Sequence, residues 1–235
     1  VAAVVMTGVL FRYRGPLGVA PGPERKMLVV LPFVNLGSPE NEYFAAGITE
    51  EITSRLATIR ELGVISRTSA VHYAGTSKTA REIGSELGVA YILEGTVRWA
   101  PDPGGTSKVR ITPQLIRVSD DTHLWSEPYD RVMQDIFEIQ SDIAKKVVEH
   151  LGLTLLRAEH PAVERRPTDD LEAYQAYLRA EYFAGQPHFV AQYWEEAAQN
   201  YQRAVELDPD FALAHAKLSI AHARLYYYRH DLSEE

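Results

Sequence analysis

The chain contains no cysteine among its 235 residues. It therefore has no disulfide bond, no cysteine-ligated zinc or iron–sulfur cluster, and no thiol nucleophile. Basic residues are in the minority, because 24 Lys and Arg face 32 Asp and Glu, which gives a formal net charge of −8. A nucleic-acid-binding surface needs a basic excess, so this balance argues against that class of partner.

Signatures of common enzymes are missing as well. There is no glycine-rich phosphate loop followed by lysine and no His-Arg-Asp catalytic loop. His215 and His222 share a predicted helix face, but a metal site needs further ligands and outer partners. Asp120, Asp121 and His123 lie where a hairpin needs turn residues. We therefore predict a non-enzymatic protein with no catalytic, metal-binding or cofactor-binding residues.

Apolar runs are short. Residues 1–11 (VAAVVMTGVLF) fall well below the roughly 20 residues of a membrane-spanning helix. Three interpretations remain open: the end of a truncated transmembrane helix, the remnant of a signal-peptide core, or a buried strand. The aromatic and basic residues that follow resemble an interfacial anchor. We predict the transmembrane helix over 1–11, anchored by Val4, Val5, Val9, Leu10 and Phe11.

Residues 12–25 are rich in proline and glycine and predict a linker. A short apolar run then predicts a buried strand over 27–33. Apolar residues recur every three or four positions after Ser38-Pro39-Glu40, which predicts a helix; they are Phe44, Ile48, Ile52, Leu56 and Ile59. Residues 62–66 predict a second strand, and Thr79 with Glu82 forms a capping box for a short helix that stops at Gly88.

Two longer segments, 89–99 and 108–118, flank a Pro/Gly-rich stretch and predict a β-hairpin with a long tip. Pro113 cannot donate to a ladder, and the apolar phase slips between Leu115 and Ile116, so we expect an edge position or a bulge. Residues 122–127 predict a further pairing strand. Ile136, Ile139, Ile143, Val147 and Leu151 then define an amphipathic helix. The element order predicts a mixed-sheet α/β domain over residues 26–156.

Residues 157–169 combine charge with proline and predict a solvated linker. Residues 170–235 are predicted to be all helical. Within them, 194–209 (WEEAAQNYQRAVELDP) places small residues, one tyrosine and a closing proline at helical-repeat spacing. A repeat unit of this kind stacks on neighbours and offers a groove to a partner.

Five blocks along the α/β segment resemble the TolB-type amino-terminal α/β domain. They are residues 31–56, 64–70, 86–98, 109–118 and 123–131. The segment that follows resembles tetratricopeptide repeats, with Pro209 closing one repeat. In bacteria the resemblance implies a module between a membrane helix and such repeats, in proteins that carry a serine/threonine kinase, a nucleotide cyclase or a winged-helix domain at the amino-terminal end.

We predict a membrane-tethered protein–protein interaction module or scaffold. The predicted partner-binding residues combine a concave helix face with an aromatic run; they are Tyr174, Tyr177, His215, Leu218, His222, Tyr226, Tyr227, Tyr228 and Arg229. Three adjacent tyrosines cannot all face one core, and Tyr and Arg are enriched at interface hot spots. Two alternatives stay open: an extracytoplasmic sensor region of a receptor kinase or transcription regulator, and a structural subunit of a larger membrane complex, for example a bioenergetic one.

The side of the membrane is contested between two observations. Basic residues follow the apolar run, and the positive-inside rule then favours a cytoplasmic body. The resemblance implies the opposite, with this part outside. We predict an extracytoplasmic, periplasmic body, with the cytoplasmic placement left open.

Overall fold

The computed structural model describes residues 25–100, 108–186 and 190–231, without the side chains of residues 100 and 228–231. The strands are β1 Lys26–Val30, β2 Val34–Asn35, β3 Leu62–Val64, β4 Tyr91–Ala100, β5 Lys108–Arg117, β6 Thr122–Ser126 and β7 Tyr129–Val132. The helices are α1 Glu42–Ala57, α2 Arg67–Ala70, α3 Ala80–Leu87, α4 Ile136–His150, α5 His160–Val163, α6 Leu171–Ala184, α7 Ala191–Leu207 and α8 Ala212–Asp231.

The strands form one mixed sheet in the order β3-β1-β4-β5-β6. Strand β1 runs parallel to β3 and β4, whereas β5 is antiparallel to β4, β6 and β7. The short strand β2 adds to the far end of β4. The predicted mixed-sheet class is confirmed, while β2, β7, α2 and α5 are elements that the sequence patterns did not reveal.

Several local signals act as their chemistry predicts. The Thr79 side chain accepts from the Glu82 backbone N–H while the Glu82 carboxylate binds back, and Gly88 ends the helix at a φ of 65°. A register shift falls between Leu115 and Ile116, as the phase slip indicated. Residues 118–121 form the expected turn, in which Asp121 has a φ of 58°.

Of the two alternatives expected for this strand, the bulge is confirmed and the edge position is wrong, because β5 lies inside the sheet between β4 and the β6–β7 pair. Strand β6 pairs with residues 114–117 and β7 with residues 108–111. Pro113 falls between these two ladders. Neither β6 nor β7 pairs with position 113, so a residue without a backbone N–H is tolerated there in an interior strand.

The sheet separates two apolar clusters of unequal size. The smaller one lies under α2 and α3 and includes Val29, Ile83 and Ile92. The larger one includes every apolar residue predicted for α1 and α4, and it continues without a break into α6, α7 and α8. The described part of the chain therefore has one main core that the sheet domain and the helical segment share.

The predicted linker over residues 157–169 is only partly solvated, because Glu159, Val163 and Thr168 are buried. Val163 in α5 is fully buried, and the guanidinium of Arg55 donates to the carbonyl oxygens of Val163 and Arg165, the latter at 2.8 Å. Arg55 is itself 2% exposed and also donates to Ser141 Oγ at 2.9 Å. The segment is thus fastened to α1 and α4 through buried polar contacts.

Gly47 sets the distance between α1 and α6. A Cβ atom built on Gly47 would lie 2.6 Å from Leu178 Cδ2 and 2.9 Å from Leu178 Cδ1. Contacts that short are repulsive, so the absence of a side chain is what allows the two helices to approach. The sheet domain and helix α6 meet at this point.

Replacing Gly47 with valine is expected to lower the free energy of unfolding by about 1–3 kcal/mol, because overpacking forces the two helices apart. Urea unfolding followed by circular dichroism measures the change. The double variant Gly47→Val/Leu178→Ala should recover part of the loss, since the clash is pairwise. Equal stability of Gly47→Val and the unmodified chain would contradict the close approach.

Among the described residues, the search for a helix that is both long and apolar enough to cross a bilayer gives no candidate. The predicted membrane helix (residues 1–11), its anchoring side chains and the following linker lie outside the described residues, as does most of the hairpin tip.

Candidate functional site

Tyr174 and Tyr177, which were predicted to face a partner, are core residues. Tyr174 is fully buried, its ring lies 4.5 Å from that of Phe137, and its hydroxyl accepts a hydrogen bond from Gln140 Nε2 at 3.0 Å. Tyr177 packs between the rings of Tyr174 and Phe211. Burial raises the pKa of both phenols far above the usual range. Their prediction as surface residues is corrected, because their own chain encloses them.

The predicted residues of α8 divide between two environments. Leu218 is half-buried against the core, whereas His215 and His222 are exposed. A ring nitrogen of His215 lies 2.9 Å from the carbonyl oxygen of Pro209, which gives it a local structural contact. Tyr226 and Tyr227 are each 67% exposed. The side chains of Tyr228 and Arg229 are outside the described part.

A cleft of about 370 Å³ opens where the sheet domain meets the repeat helices. We call it the junction cleft. Its lining comes from α1, α2 and the turn after it on one side, and from α6, α7 and α8 on the other; the residues are Glu50, Arg67, Thr68, Val71, Glu181, Ala184, Gly185, Trp194, Tyr201, Lys217 and Ile220. Two apolar side chains in this lining are exposed, Val71 at 47% and Ile220 at 51%.

Each wall of the junction cleft carries one ion pair. On the sheet-domain side, Arg67 Nε lies 3.4 Å from Glu50 Oε2. On the repeat side, Lys217 Nζ lies 2.9 Å from Glu181 Oε2. The first pair is about 40% exposed at both side chains, so solvent screens it. The walls are therefore polar at their bases and apolar at Val71 and Ile220.

Glu181 is the more enclosed of the two carboxylates. It accepts from the hydroxyl of Tyr201 at 2.5 Å as well as from Lys217. Burial and the neighbouring Glu181 charge raise the pKa of Tyr201 well above its usual range. The Tyr201 proton is thus held as a hydrogen-bond donor. The arrangement fixes the Glu181 side chain and supplies no general base or nucleophile.

Helix geometry explains why His215 and His222 do not line the cleft. At about 100° per residue, His222 lies on the opposite side of α8 from Ile220. The positions that share the face of Ile220 are Lys217, Arg224 and Tyr227; we call these four residues the α8 stripe. Arg224 lies over the Trp194 ring at 5.8 Å from its centroid. The 3–4–3 spacing of these four residues can be seen in the sequence. Which face of α8 lines the junction cleft depends on how α7 and α2 pack, and the sequence does not show this.

A larger cleft of about 530 Å³ lies near α4 and the 157–169 segment. Four of its charged residues are paired with one another, Lys145 with Glu164 at 2.5 Å and Arg166 with Glu138 at 2.9 Å. Its one buried phenol, Tyr129, donates to Asp142 at 2.7 Å. Size alone therefore does not make it the better candidate. Within the described ranges, no group of three or more histidines and carboxylates is placed to hold a metal ion.

Two of the three helices on the repeat side of the cleft, α7 and α8, match a known class of repeat. A family model described as "TPR repeat" matches residues 191–225, which span α7 and most of α8. The chain is also 40% identical over 199 residues, 84% of its length, to "Putative adenylate cyclase 3" of Rhizobium meliloti. It spans about a third of that relative, 33% of its length.

Solved structures that are similar to part of this chain are TolB from Acinetobacter baumannii and a PelC dodecamer from Paraburkholderia phytofirmans. TolB is 13% identical over 54% of this chain and 28% of its own, with a TM-score of 0.41. PelC is 18% identical over 56% of this chain and 91% of its own, with a TM-score of 0.39. At these TM-scores the likeness carries no functional conclusion.

Proposed function

We propose that this chain is a non-enzymatic protein–protein interaction module that binds its partner at the junction cleft and the α8 stripe. The observation that carries the proposal is the exposure of Ile220 and Tyr227, at 51% and 67%, on one face of a repeat helix. Repeat helices present concave grooves to partners, and large apolar side chains on one face provide the buried centre of an interface. The TPR match over residues 191–225 agrees with this use.

Site-specific photocrosslinking tests the proposal. A benzoylphenylalanine at position 220 should crosslink a protein partner in cells of the native host, whereas the same residue at position 222 should not. Both side chains are exposed and lie on opposite sides of α8, so the two variants should express and fold alike. Equal crosslinking from both positions, or none from position 220, would count against a partner at this face.

A regulatory role within a longer protein is a second candidate, favoured by the 40% identity to a relative named as an adenylate cyclase. In that case the module would transmit the presence of a partner or a small ligand to a signalling domain elsewhere in the protein. The test is the cyclase activity of the full-length gene product with and without Ile220→Asp. If Ile220→Asp changes neither the basal cyclase activity nor the change in that activity when lysate fractions are added, this candidate is excluded.

The membrane tether through residues 1–11 and the periplasmic body belong to the proposal as well. Their support is the apolar run followed by aromatic and basic residues. Fractionation of cells that express the chain, followed by protease treatment of spheroplasts, tests both points. Recovery of the chain in the soluble fraction would contradict the membrane tether. Protection from protease in intact spheroplasts would contradict the periplasmic body.

A further inference from the structure

The distribution of carboxylates identifies an unusual surface. The chain carries 32 Asp and Glu, yet residues 62–81 and residues 211–230 contain none. The first segment includes α2 and the turn after it, and the second includes nearly all of α8. Both segments carry cations, among them Arg67 in the first and Lys217 and Arg224 in the second. On a chain with a net charge of −8, such segments are local exceptions.

The fold brings these two segments together at one place. Arg67 and Val71 from the first, and Lys217 and Ile220 from the second, line the junction cleft. Arg67 also reaches the carboxyl end of α6, where a Cβ atom on Gly185 would lie 2.8 Å from its Nη2 atom. A partner in the cleft would therefore contact the sheet domain and the repeat helices at once.

Lys217 is paired with Glu181 at 2.9 Å, whereas the other two cations of this surface keep hydrogen-bond donors that the described residues do not use. Arg224 has no carboxylate within ion-pair distance among the described residues, and its one described contact is the Trp194 ring. Arg67 makes the 3.4 Å ion pair with Glu50, but it makes no hydrogen bond with any of the described residues. A guanidinium has five donors, so both groups keep donors for an external acceptor.

Exposed apolar side chains alternate with these cations. Ile220 lies between Lys217 and Arg224 along the α8 stripe, Tyr227 continues it, and Val71 faces it from the sheet domain. A surface with this alternation is complementary to a segment that carries apolar side chains flanked by carboxylates. Charge complementarity would orient such a segment, and apolar burial would supply the affinity.

We infer that the partner recognised at the junction cleft and the α8 stripe is an acidic, amphipathic protein segment, bound jointly by the sheet domain and the repeat helices. This inference rests on the proposed function and narrows it to one chemistry. The apolar side chains of the segment contact Val71, Ile220 and Tyr227. Its carboxylates meet Arg67 and Arg224.

Selection from a phage library of short random peptides tests the inference with the full chain as bait. Peptides enriched on the unmodified chain should combine Asp or Glu with Leu, Ile or aromatic residues. Their affinity, measured by fluorescence anisotropy, should fall at least about tenfold in Ile220→Asp, because a central apolar contact is replaced by a charge that repels the ligand. Binding should weaken less in Arg224→Gln, and it should weaken with added salt.

His222→Asp is the matched control, because it adds a negative charge two residues away on the opposite side of the same helix. Its affinity for the selected peptides should stay within about twofold of the unmodified chain, a difference well under 1.4 kcal/mol. Thermal unfolding of all three variants shows whether each is folded. Both exposed sites should tolerate the change, so a loss of binding can be assigned to the surface.

Each alternative result has a distinct meaning. Selected peptides that are basic or show no charge bias, but still depend on Ile220, would overturn the acidic partner and leave the proposed binding face standing. Failure to enrich any peptide would overturn the inference and count against the proposed function. If the chain dimerises and Ile220→Asp abolishes the dimer, the occupant of the surface is a second copy of the chain. If the chain binds phosphatidylglycerol vesicles but no peptide, the occupant is a membrane surface. Either result overturns the inference.

Discussion

Arg55→Ala is expected to lower the free energy of unfolding by about 3–5 kcal/mol, the usual cost of removing one member of a buried charged network. The Arg55 side chain is 1% exposed and lies 3.4 Å from Glu51 Oε1. Its removal would leave the carbonyl oxygens of Val163 and Arg165 without their donor and the Glu51 carboxylate largely uncompensated. Burial lowers the pKa of Arg55, and the Glu51 charge opposes that shift, as expected for a desolvated cation held by its partner. Urea unfolding followed by far-ultraviolet circular dichroism gives the measurement.

Arg165→Ala is the control for this prediction, because Arg165 also approaches Glu51, at 3.6 Å, but its side chain is 48% exposed. Solvent screens the half-exposed Arg165 guanidinium, so the variant should lose much less stability than Arg55→Ala, about 1 kcal/mol. The double variant Glu51→Gln/Arg55→Met should be more stable than Arg55→Ala, since it leaves no buried carboxylate without a partner. Similar losses for Arg55→Ala and Arg165→Ala would show that the buried network does not hold the segment.

Tyr174→Ala is expected to cost about 3–5 kcal/mol of stability, since a fully buried aromatic ring would be replaced by a cavity. The ring touches Phe137 of α4 and Tyr177 of α6, so the loss falls where the sheet domain meets the helical segment. Thermal unfolding by calorimetry is the measurement, and the transition should stay single because one core is involved. This outcome separates a core tyrosine from a binding tyrosine, which would lose affinity and keep its stability.

Tyr174→Phe keeps the ring and removes the hydroxyl that accepts from Gln140 Nε2. The expected loss is about 1–3 kcal/mol, the cost of leaving one buried amide donor without an acceptor. Tyr227→Ala provides the opposite comparison, because Tyr227 is 67% exposed and its removal should leave the melting temperature nearly unchanged. A stability loss for Tyr227→Ala as large as that for Tyr174→Ala would contradict the assignment of the two environments.

Local patterns predicted most of the regular elements because they depend on short-range physics. The apolar spacing of α1 and α4 names residues that are all buried, and Thr79, Glu82 and Gly88 bound α3 through contacts within one turn. The bulge at Leu115/Ile116 follows from the period-two alternation alone. Elements as short as β2 and α5 carry too few residues for any period to show.

The candidate site was harder to predict, because it depends on tertiary packing. The sequence indicates that a tyrosine on a repeat helix has an apolar environment, but it does not distinguish a groove from a core. Tyr174 is buried against Phe137 and Gln140 of α4, contacts between residues far apart in the chain. Arg67 was not predicted as a site residue for the same reason. Its neighbours in the sequence do not indicate that it faces α6, α7 and α8.

The continuous apolar core has a practical consequence for any dissection of this protein. A fragment cut within residues 157–169 would strip the outer surface of α1 and α4 of its cover and present it to water. Such a piece should precipitate or associate with itself, however well its sheet is formed. Grafts between relatives should therefore move α1, α4 and α6 together, because these three helices pack as a single unit.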